Sequence, residues 1–455
     1  MKQIGEHAVV IGASMGGLLA ARALADFYRH VTVLERDAFP ATDVPRKGVP
    51  QGRHAHGLLA RGRAVIEDFF PGWTDEVVAS GGIRGDIVND VNWIGHGVKL
   101  TAASSALTGL LAARPVLEGH VRRRLLRLSN VRAIEGCAVQ GLVADDARSG
   151  VCGVRVKIGA AAEETMAADL VVDASGRGSA SAAWLAALGY PAAGEEKIEI
   201  GIGYTTRVYR RRPTDLGGKL AVVIAGSGPN WRNGTILIQT ADRWIVSIGG
   251  YFGDHAPDDD QLFAAYAGSL PTPDIYDIVA HAEPLTGFMS YKYPANLRRR
   301  YERLARFPAG YLVFGDAICS FNPVYGQGMT VAAQQAVLLQ TCLRDGVDSL
   351  ARRFFKAAKT AIDTPWDIAV GNDLRHPQVK GPRSLKVRFI NWYIGRLHLA
   401  ARYDAVLATA FLKVANLEMP PAQLLHPSII ARVMTGNLAQ PRFADGKATE
   451  AGALP

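Results

Sequence analysis

The chain has 455 residues, 48% of them apolar and 20% charged, a balance that excludes a disordered protein and calls for two or three lobes rather than one core. Its net charge is +9, from 51 Lys and Arg against 42 Asp and Glu, yet no zinc-finger, helix-turn-helix or RNA-binding pattern accompanies the excess, so no nucleic-acid partner is expected. The four cysteines, Cys137, Cys152, Cys319 and Cys342, form no C-x-x-C pair and have no histidine at zinc spacing. They read as reduced thiols, and with no signal peptide and no apolar stretch long enough to span a bilayer the expected location is the cytoplasm.

In chain order, Ala8–Ile11 reads as a short buried strand, Gly17–Tyr28 as a helix of strong helix formers, and Val31–Leu34 as a second strand ending at Glu35. The turn between the first two places Gly12, Ser14 and Gly17 on the dinucleotide fingerprint G-x-G-x-x-G, with serine at the middle position. Glu35 follows 23 residues after Gly12, where an acid accepts the ribose diol. Gly12 suits the tight turn and Gly17 the close packing of helix on strand. The helix N-terminus offers free N–H groups and partial positive charge to a pyrophosphate. Ser14 narrows the approach of a phosphate with its Cβ, and its hydroxyl can donate to one.

A nicotinamide-binding domain would alternate strands and helices for about 100 residues more. This chain departs at once, into R-K-G-V-P-Q-G-R-H-A-H-G-L-L from Arg46. A helix opened by Arg114 follows, then a strand C-A-V-Q-G-L containing Val139, then a second strand and glycine turn, D-L-V-V-D-A-S-G-R-G-S from Asp169. Val- and Ile-rich runs from Ile198, Ala221, Thr235 and Arg243 predict an antiparallel sheet. The closing strand, Y-L-V-F from Tyr311, arrives late and leads into G-D-A-I-C-S-F-N-P-V-Y-G-Q-G-M from Gly315, with a helix from Thr330. An interrupted nucleotide fold of this kind fits FAD stretched across several loops.

The expected fold class is therefore α/β (α+β). Residues 1–194 and 295–346 make a Rossmann-like three-layer FAD-binding domain, 195–294 an inserted antiparallel-sheet substrate domain, and 347–455 a helical C-terminal region. That region holds a late helix around Ile430 and then a polar, disordered tail. Trp244, Tyr251, Phe288 and Tyr291 are candidates for an apolar wall between sheet and flavin. His54 and His56 would share one face of a strand, but no third ligand accompanies them, so no metal is expected. Between Leu374 and Tyr403 there are seven Lys or Arg and no Asp or Glu, either a solvated helical face or a surface for peripheral contact with an anionic membrane or acidic partner.

On these residues the chain resembles the FAD-dependent aromatic-hydroxylase-like superfamily, and within it the flavin epoxidases that act on polyene chains in polyether biosynthesis. The carriers are the segment from Arg46, A-R-P-V-L-E from Ala113, V-V-D-A-S-G-R-G-S from Val171, R-W-I-V-S-I-G-G from Arg243 and the Gly315–Met329 cluster. The resemblance implies that Asp316 accepts bonds from the ribityl hydroxyls and that Pro323 shapes a loop against the flavin. Gly326, Gln327, Gly328 and Met329 would present N–H groups near flavin N1 and O2. Arg114 would reach the pyrophosphate, Val139 the adenine through its backbone, and Arg36, Lys47, Gln51 and His54 would stand near the cofactor.

The implied activity is that of an FAD-dependent monooxygenase. One oxygen atom passes from a flavin C4a-hydroperoxide to an apolar polyene, isoprenoid or aromatic substrate, by epoxidation of a double bond or by hydroxylation. The cofactors are FAD, O2 and NAD(P)H, the last acting directly or through a separate flavin reductase. The run Asp173–Gly178 departs from the Asp-Gly motif of hydroxylases that take NADPH directly, which leans towards the separate reductase. No catalytic side chain is named, because the flavin carries the chemistry. Three other readings stay open: a reductase of isoprenoid-like chains, a flavin halogenase, and a non-catalytic flavin-binding protein. A halogenase should carry a lysine beside its substrate and a W-x-W-x-I-P helix, and that tryptophan motif is absent.

Overall fold

The computed structural model describes residues 3–438; the tail expected to be disordered lies outside the described residues. At its centre are β1 (Gly5–Ile11), α1 (Met15–Ala25) and β2 (Tyr28–Leu34), followed after a long excursion by α2 (Arg114–Leu125), β3 (Val131–Ile134) and β4 (Leu170–Asp173). Far downstream, β5 (Tyr311–Val313) and α3 (Gly328–Arg344) complete the layer. The five strands form one parallel sheet in the order β5-β4-β1-β2-β3. Continuous apolar runs suit strands covered on both faces, and Ala8, Val9, Val10, Val171, Val172, Leu312 and Val313 are all fully buried.

Register sets the site. Ile11 lies opposite Asp173, and Asp173 opposite Val313. The three strands end level, so the chain leaves the sheet at Gly12, Ala174 and Phe314 along one carboxyl edge, where open α/β sheets bind ligands. The helix expected to reach Tyr28 stops at Ala25. Tyr28 instead opens β2, and its ring fills the space beside Gly5, where a Cβ would come within 2.4 Å of it.

A second sheet of eight strands stands against this layer. Its long members are Glu195–Arg210, Arg243–Gly250, Asn233–Thr240 and Met289–Arg299, paired antiparallel. It begins where the second domain is expected, but it draws on more of the chain. Val91–Gly95 adds a strand parallel to Ala221–Ile224, and Cys319–Ser320 pairs with the far end of Met289–Arg299 beyond residue 294. The C-terminal region is helical: α4 (Leu350–Asp373), α5 (Leu385–Ala401), α6 (Ala405–Ala415) and α7 (Pro427–Leu438). α4 sends Phe354, Phe355 and Ile362 into the main core, while Leu397, Leu407, Leu412 and Val433 of the later helices close over Val88 and Leu100. Among the described residues no helix is long and apolar enough to cross a membrane.

Candidate functional site

Each of the three segments leaving the sheet edge is constrained by its own residues. Gly12 has φ +98°, and a Cβ there would meet the Ala174 carbonyl oxygen at 2.8 Å. At Gly17 a Cβ would lie 1.8 Å from the Gly12 carbonyl oxygen, so only glycine lets α1 begin this close to the turn. Ser14 is the N-cap of α1 and its side chain makes no capping bond, which leaves the first N–H groups of the helix without a side-chain acceptor.

The segment after β4 folds around Asp173, whose buried carboxylate accepts the hydroxyls of Ser175, Ser179 and Ser181. That turn directs Arg177 into a cavity, where it donates to Ser320 Oγ at 2.6 Å and Tyr293 Oη at 3.0 Å. After β5 come Gly315 (φ +65°) and Asp316. Asp316 lines the same cavity and has no hydrogen-bond or ion-pair partner among the described residues. Burial pushes its carboxyl above the ordinary range, and Arg114 and Arg177 pull it back. α3 opens at Gly328 with neither a side-chain cap nor an acid in its first turn. Its free N–H groups and partial positive charge therefore stand at the cavity wall, which Gly326, Gln327, Gly328 and Met329 line.

Arg46 joins the first turn to α2. Its guanidinium lies 2.9 Å from Glu35 and 2.7 Å from Glu118, and it donates to the Ala13 carbonyl at 3.0 Å. Glu35 also accepts the Ala13 N–H at 2.9 Å. Ser14 Oγ donates to Glu118 at 3.0 Å and accepts from Arg114 at 2.9 Å. Burial opposes the charge on Arg46, but Glu118 and Glu35 outweigh it and its pKa lies above the ordinary value. The fingerprint serine and acid are thus tied together by Arg46, Arg114 and Glu118.

The cavity holds about 250 Å³. One end is polar, bounded by Arg114, Arg177, Asp316 and the Pro323–Met329 loop; the other runs under the eight-stranded sheet between Leu58, Ile87, Val91, Trp93, Leu111, Val223 and Leu237. His56 lines it too, and burial, with Arg114 close by, lowers its pKa to about 3, so the ring is neutral. Behind the loop sits Asp373, the last residue of α4 and 1% exposed. It accepts from Tyr251 Oη (2.9 Å), Asn296 Nδ2 (2.7 Å), Asn322 Nδ2 (2.9 Å) and Tyr325 Oη (2.8 Å). This one carboxylate holds the Asn322–Tyr325 loop to both sheet and C-terminal helix.

Of the residues expected at the cofactor, Gln51, Arg114, Asp316, Pro323, Gly326, Gln327, Gly328 and Met329 line the cavity, and Gly12, Ser14, Gly17 and Glu35 gather at the β1 turn. Val139 lies in Cys137–Ala144, whose first N–H bonds the Glu35 carbonyl at 2.9 Å. Arg36 and Lys47 are exposed and lie outside the cavity lining; the buried cation of that loop is Arg46. His54 turns away to bond Thr206 Oγ1 at 2.8 Å, and His56 takes the inward position.

Of the four aromatic candidates for the substrate wall, Tyr291 lines the cavity and the other three do not. Trp244 is fully buried on the far face of the sheet and donates its indole N–H to Asp215 at 2.9 Å. Ser247, three positions on, lies on the cavity face, as strand alternation requires. Phe288 packs on Phe263 and under Arg207, and Tyr251 serves Asp373. Arg46, Glu118, Arg177 and Asp373 were not singled out by sequence. Arg177 and Glu118 lay inside motifs already marked; Asp373 carried no local signal.

A scan against known protein families finds no match. Protein Rv3254 of Mycobacterium tuberculosis (strain ATCC 25618 / H37Rv) is 34% identical over 454 residues, covering 95% of this chain and 94% of that protein. Among solved structures, the flavin-dependent brominase Bmp2 matches with a TM-score of 0.68 at 15% identity, over 95% of this chain and 99% of its own. PqsL, a probable FAD-dependent monooxygenase from Pseudomonas aeruginosa, matches with a TM-score of 0.61 at 17% identity, over 82% and 97%. The fold is that of flavin-dependent oxidoreductases, as the sequence led one to expect. The likenesses single out no polyether epoxidase.

Proposed function

The chain belongs to the family of Protein Rv3254, and we propose that it is an FAD-dependent monooxygenase acting on an apolar organic substrate. The observation that carries this is the unpartnered Asp316 carboxylate in a cavity whose other end is an apolar chamber. The residues present fit FAD: a Gly12–Gly17 turn with no room for a Cβ, a bare helix N-terminus, and a carboxylate awaiting donors. When bound, FAD supplies the electron transfer to O2 that no side chain here provides.

The chain's own residues then divide the work. The β1 turn and Arg114 hold the dinucleotide phosphates, and Asp316 accepts sugar-chain hydroxyls. The N-terminus of α3 favours negative charge on the reduced ring. Leu58, Val91, Trp93, Val223 and Leu237 exclude water and orient an apolar chain, which suits a polyene, isoprenoid or aromatic substrate and oxygen transfer to a double bond. Electrons arrive in this reading from NAD(P)H through a separate flavin reductase, because Ala174 and Ser175 intervene between Asp173 and Gly176 where hydroxylases that take NADPH directly carry an Asp-Gly motif.

A second reading is halogenation, favoured by the fold shared with a brominase. Against it, no lysine is among the residues lining the cavity. The test is turnover of FAD-loaded, reduced protein with polyene and aromatic substrates, with and without bromide, read by oxygen uptake and product mass. Oxygen uptake with one oxygen atom gained supports the proposal. A bromide-dependent product favours the halogenase, and hydrogen gained without oxygen uptake overturns both in favour of a reductase.

A further inference from the structure

We propose that the outer face of the C-terminal helices docks on an anionic lipid surface, with α5 lying along the headgroup boundary. Of the sixteen large hydrophobic side chains exposed among the described residues, nine fall between residues 385 and 438. On α5, Leu385, Phe389 and Trp392 recur at helical spacing and are 82%, 51% and 51% exposed. The neighbouring face of the same helix, with Tyr393, Leu397 and Ala400, is buried in the core. α7 packs against α5, with Asn437 bonding the Arg396 carbonyl at 2.9 Å, and exposes a second stripe through Ile430 and Met434.

Charge decides what covers this face. Arg383 is spent on the carbonyls of Leu374, His376 and Val379, and Lys386 stands 3.4 Å from Asp367. Lys380, Arg388, Arg396 and Arg402 have no carboxylate partner among the described residues. A second copy of the chain would bring these cations against one another. An anionic bilayer answers both features, because rings and aliphatic groups enter the acyl boundary while arginines meet phosphate. The inference stands apart from the flavin reading, since it is measured without turnover.

The test is co-sedimentation of the full-length protein with vesicles of phosphatidylcholine alone and of phosphatidylcholine mixed with phosphatidylglycerol. The protein is expected to sediment with the mixed vesicles and to be released as salt rises. Arg388→Glu with Arg396→Glu lowers the partition coefficient by about thirtyfold or more, and Phe389→Ser with Trp392→Ser abolishes binding, both with an unchanged circular dichroism spectrum. Wild-type protein that stays in the supernatant overturns the proposal, as does sedimentation that both double variants leave unchanged. Sedimentation seen only after residues 439–455 are removed also overturns it, by making that segment the occupant. Dimerisation abolished by the same substitutions, without vesicle binding, overturns it in favour of a contact between copies.

Discussion

Replacing Asp316 by asparagine keeps the shape of the side chain and removes its charge. The carboxylate faces the cavity without a partner, and burial disfavours its ionised form. Its folded pKa therefore lies above that of the unfolded chain, and the unfolded state ionises first as pH rises. The stability of the cofactor-free protein is full below the unfolded value, near 4, and is lost as pH rises through the folded one. Asparagine escapes that loss. A buried polar group without a partner costs about 1–3 kcal/mol; a cavity wall with two arginines nearby places Asp316 at the low end. The variant without FAD should gain about 1 kcal/mol near neutral pH, a Tm rise of about 1–2 °C in a chain of this size, and the gain should vanish in acid. FAD responds in the opposite direction. A hydrogen bond to a charged acceptor contributes about 1.5–3 kcal/mol, so losing one weakens FAD roughly 10- to 150-fold. Thermal unfolding with and without FAD, at neutral and acid pH, and titration by flavin fluorescence read both effects. An asparagine variant that binds FAD within twofold of wild type, or that is less stable than wild type without FAD, refutes the role given to Asp316.

Asp373→Ala should lower stability by about 3–5 kcal/mol, because three buried donors and the part-buried Tyr325 hydroxyl lose their acceptor, and should release FAD; Asp373→Asn should recover part of both, as urea unfolding and flavin content will show. Trp244→Phe leaves Asp215 without its indole donor and should cost about 1–2 kcal/mol with KM unchanged, whereas Thr235→Trp, inside the cavity, should raise KM at least about tenfold with FAD affinity unchanged. Burial lowers the pKa of His54 and His398 to about 4 and of His56 and His96 to about 3. Each takes up a proton on unfolding below about pH 6.5, so the stability they contribute is present above that pH and lost as pH falls towards 4. The slope is about 1.4 kcal/mol per pH unit for each histidine, and His398→Phe should flatten it in denaturant titrations between pH 7 and 5.

The parallel core was readable because four of its strands are short β-branched runs stopped by Gly, Asp or Glu, as at Ile11–Gly12 and Val172–Asp173. Its fifth strand, V-R-A-I at 131–134, is stopped by Glu135 and Gly136 in the same way, but Arg132 and Ala133 break its β-branched run and it went unread. The glycine turns were readable for the same local reason: their φ values and missing Cβ atoms are properties of single positions. What escaped was pairing at a distance. Asp373 finds partners 48 to 122 residues away, and Arg46 bridges two acids that no window of sequence contains together. The misplaced aromatics have another cause. Alternation separates Trp244 from Ser247, but alternation alone cannot say which face of a two-sided sheet meets the cavity.

Synthesis proceeds from one end, and that gives the carboxylate at 373 a consequence in time. At about 5–20 residues per second, the Gly12–Gly17 turn and Arg46 leave the ribosome roughly 15–65 s before Asp373 is added. Between residues 173 and 311, less than half of that interval, β4 is an open edge waiting for β5, and Asn296, Asn322 and Tyr325 emerge before their shared acceptor exists. The half of the cleft that would grip phosphates matures early and the half that would grip the ring matures late. A nascent or truncated chain ending short of residue 373 would hold a nucleotide without placing its ring, so productive cofactor loading belongs to the finished polypeptide.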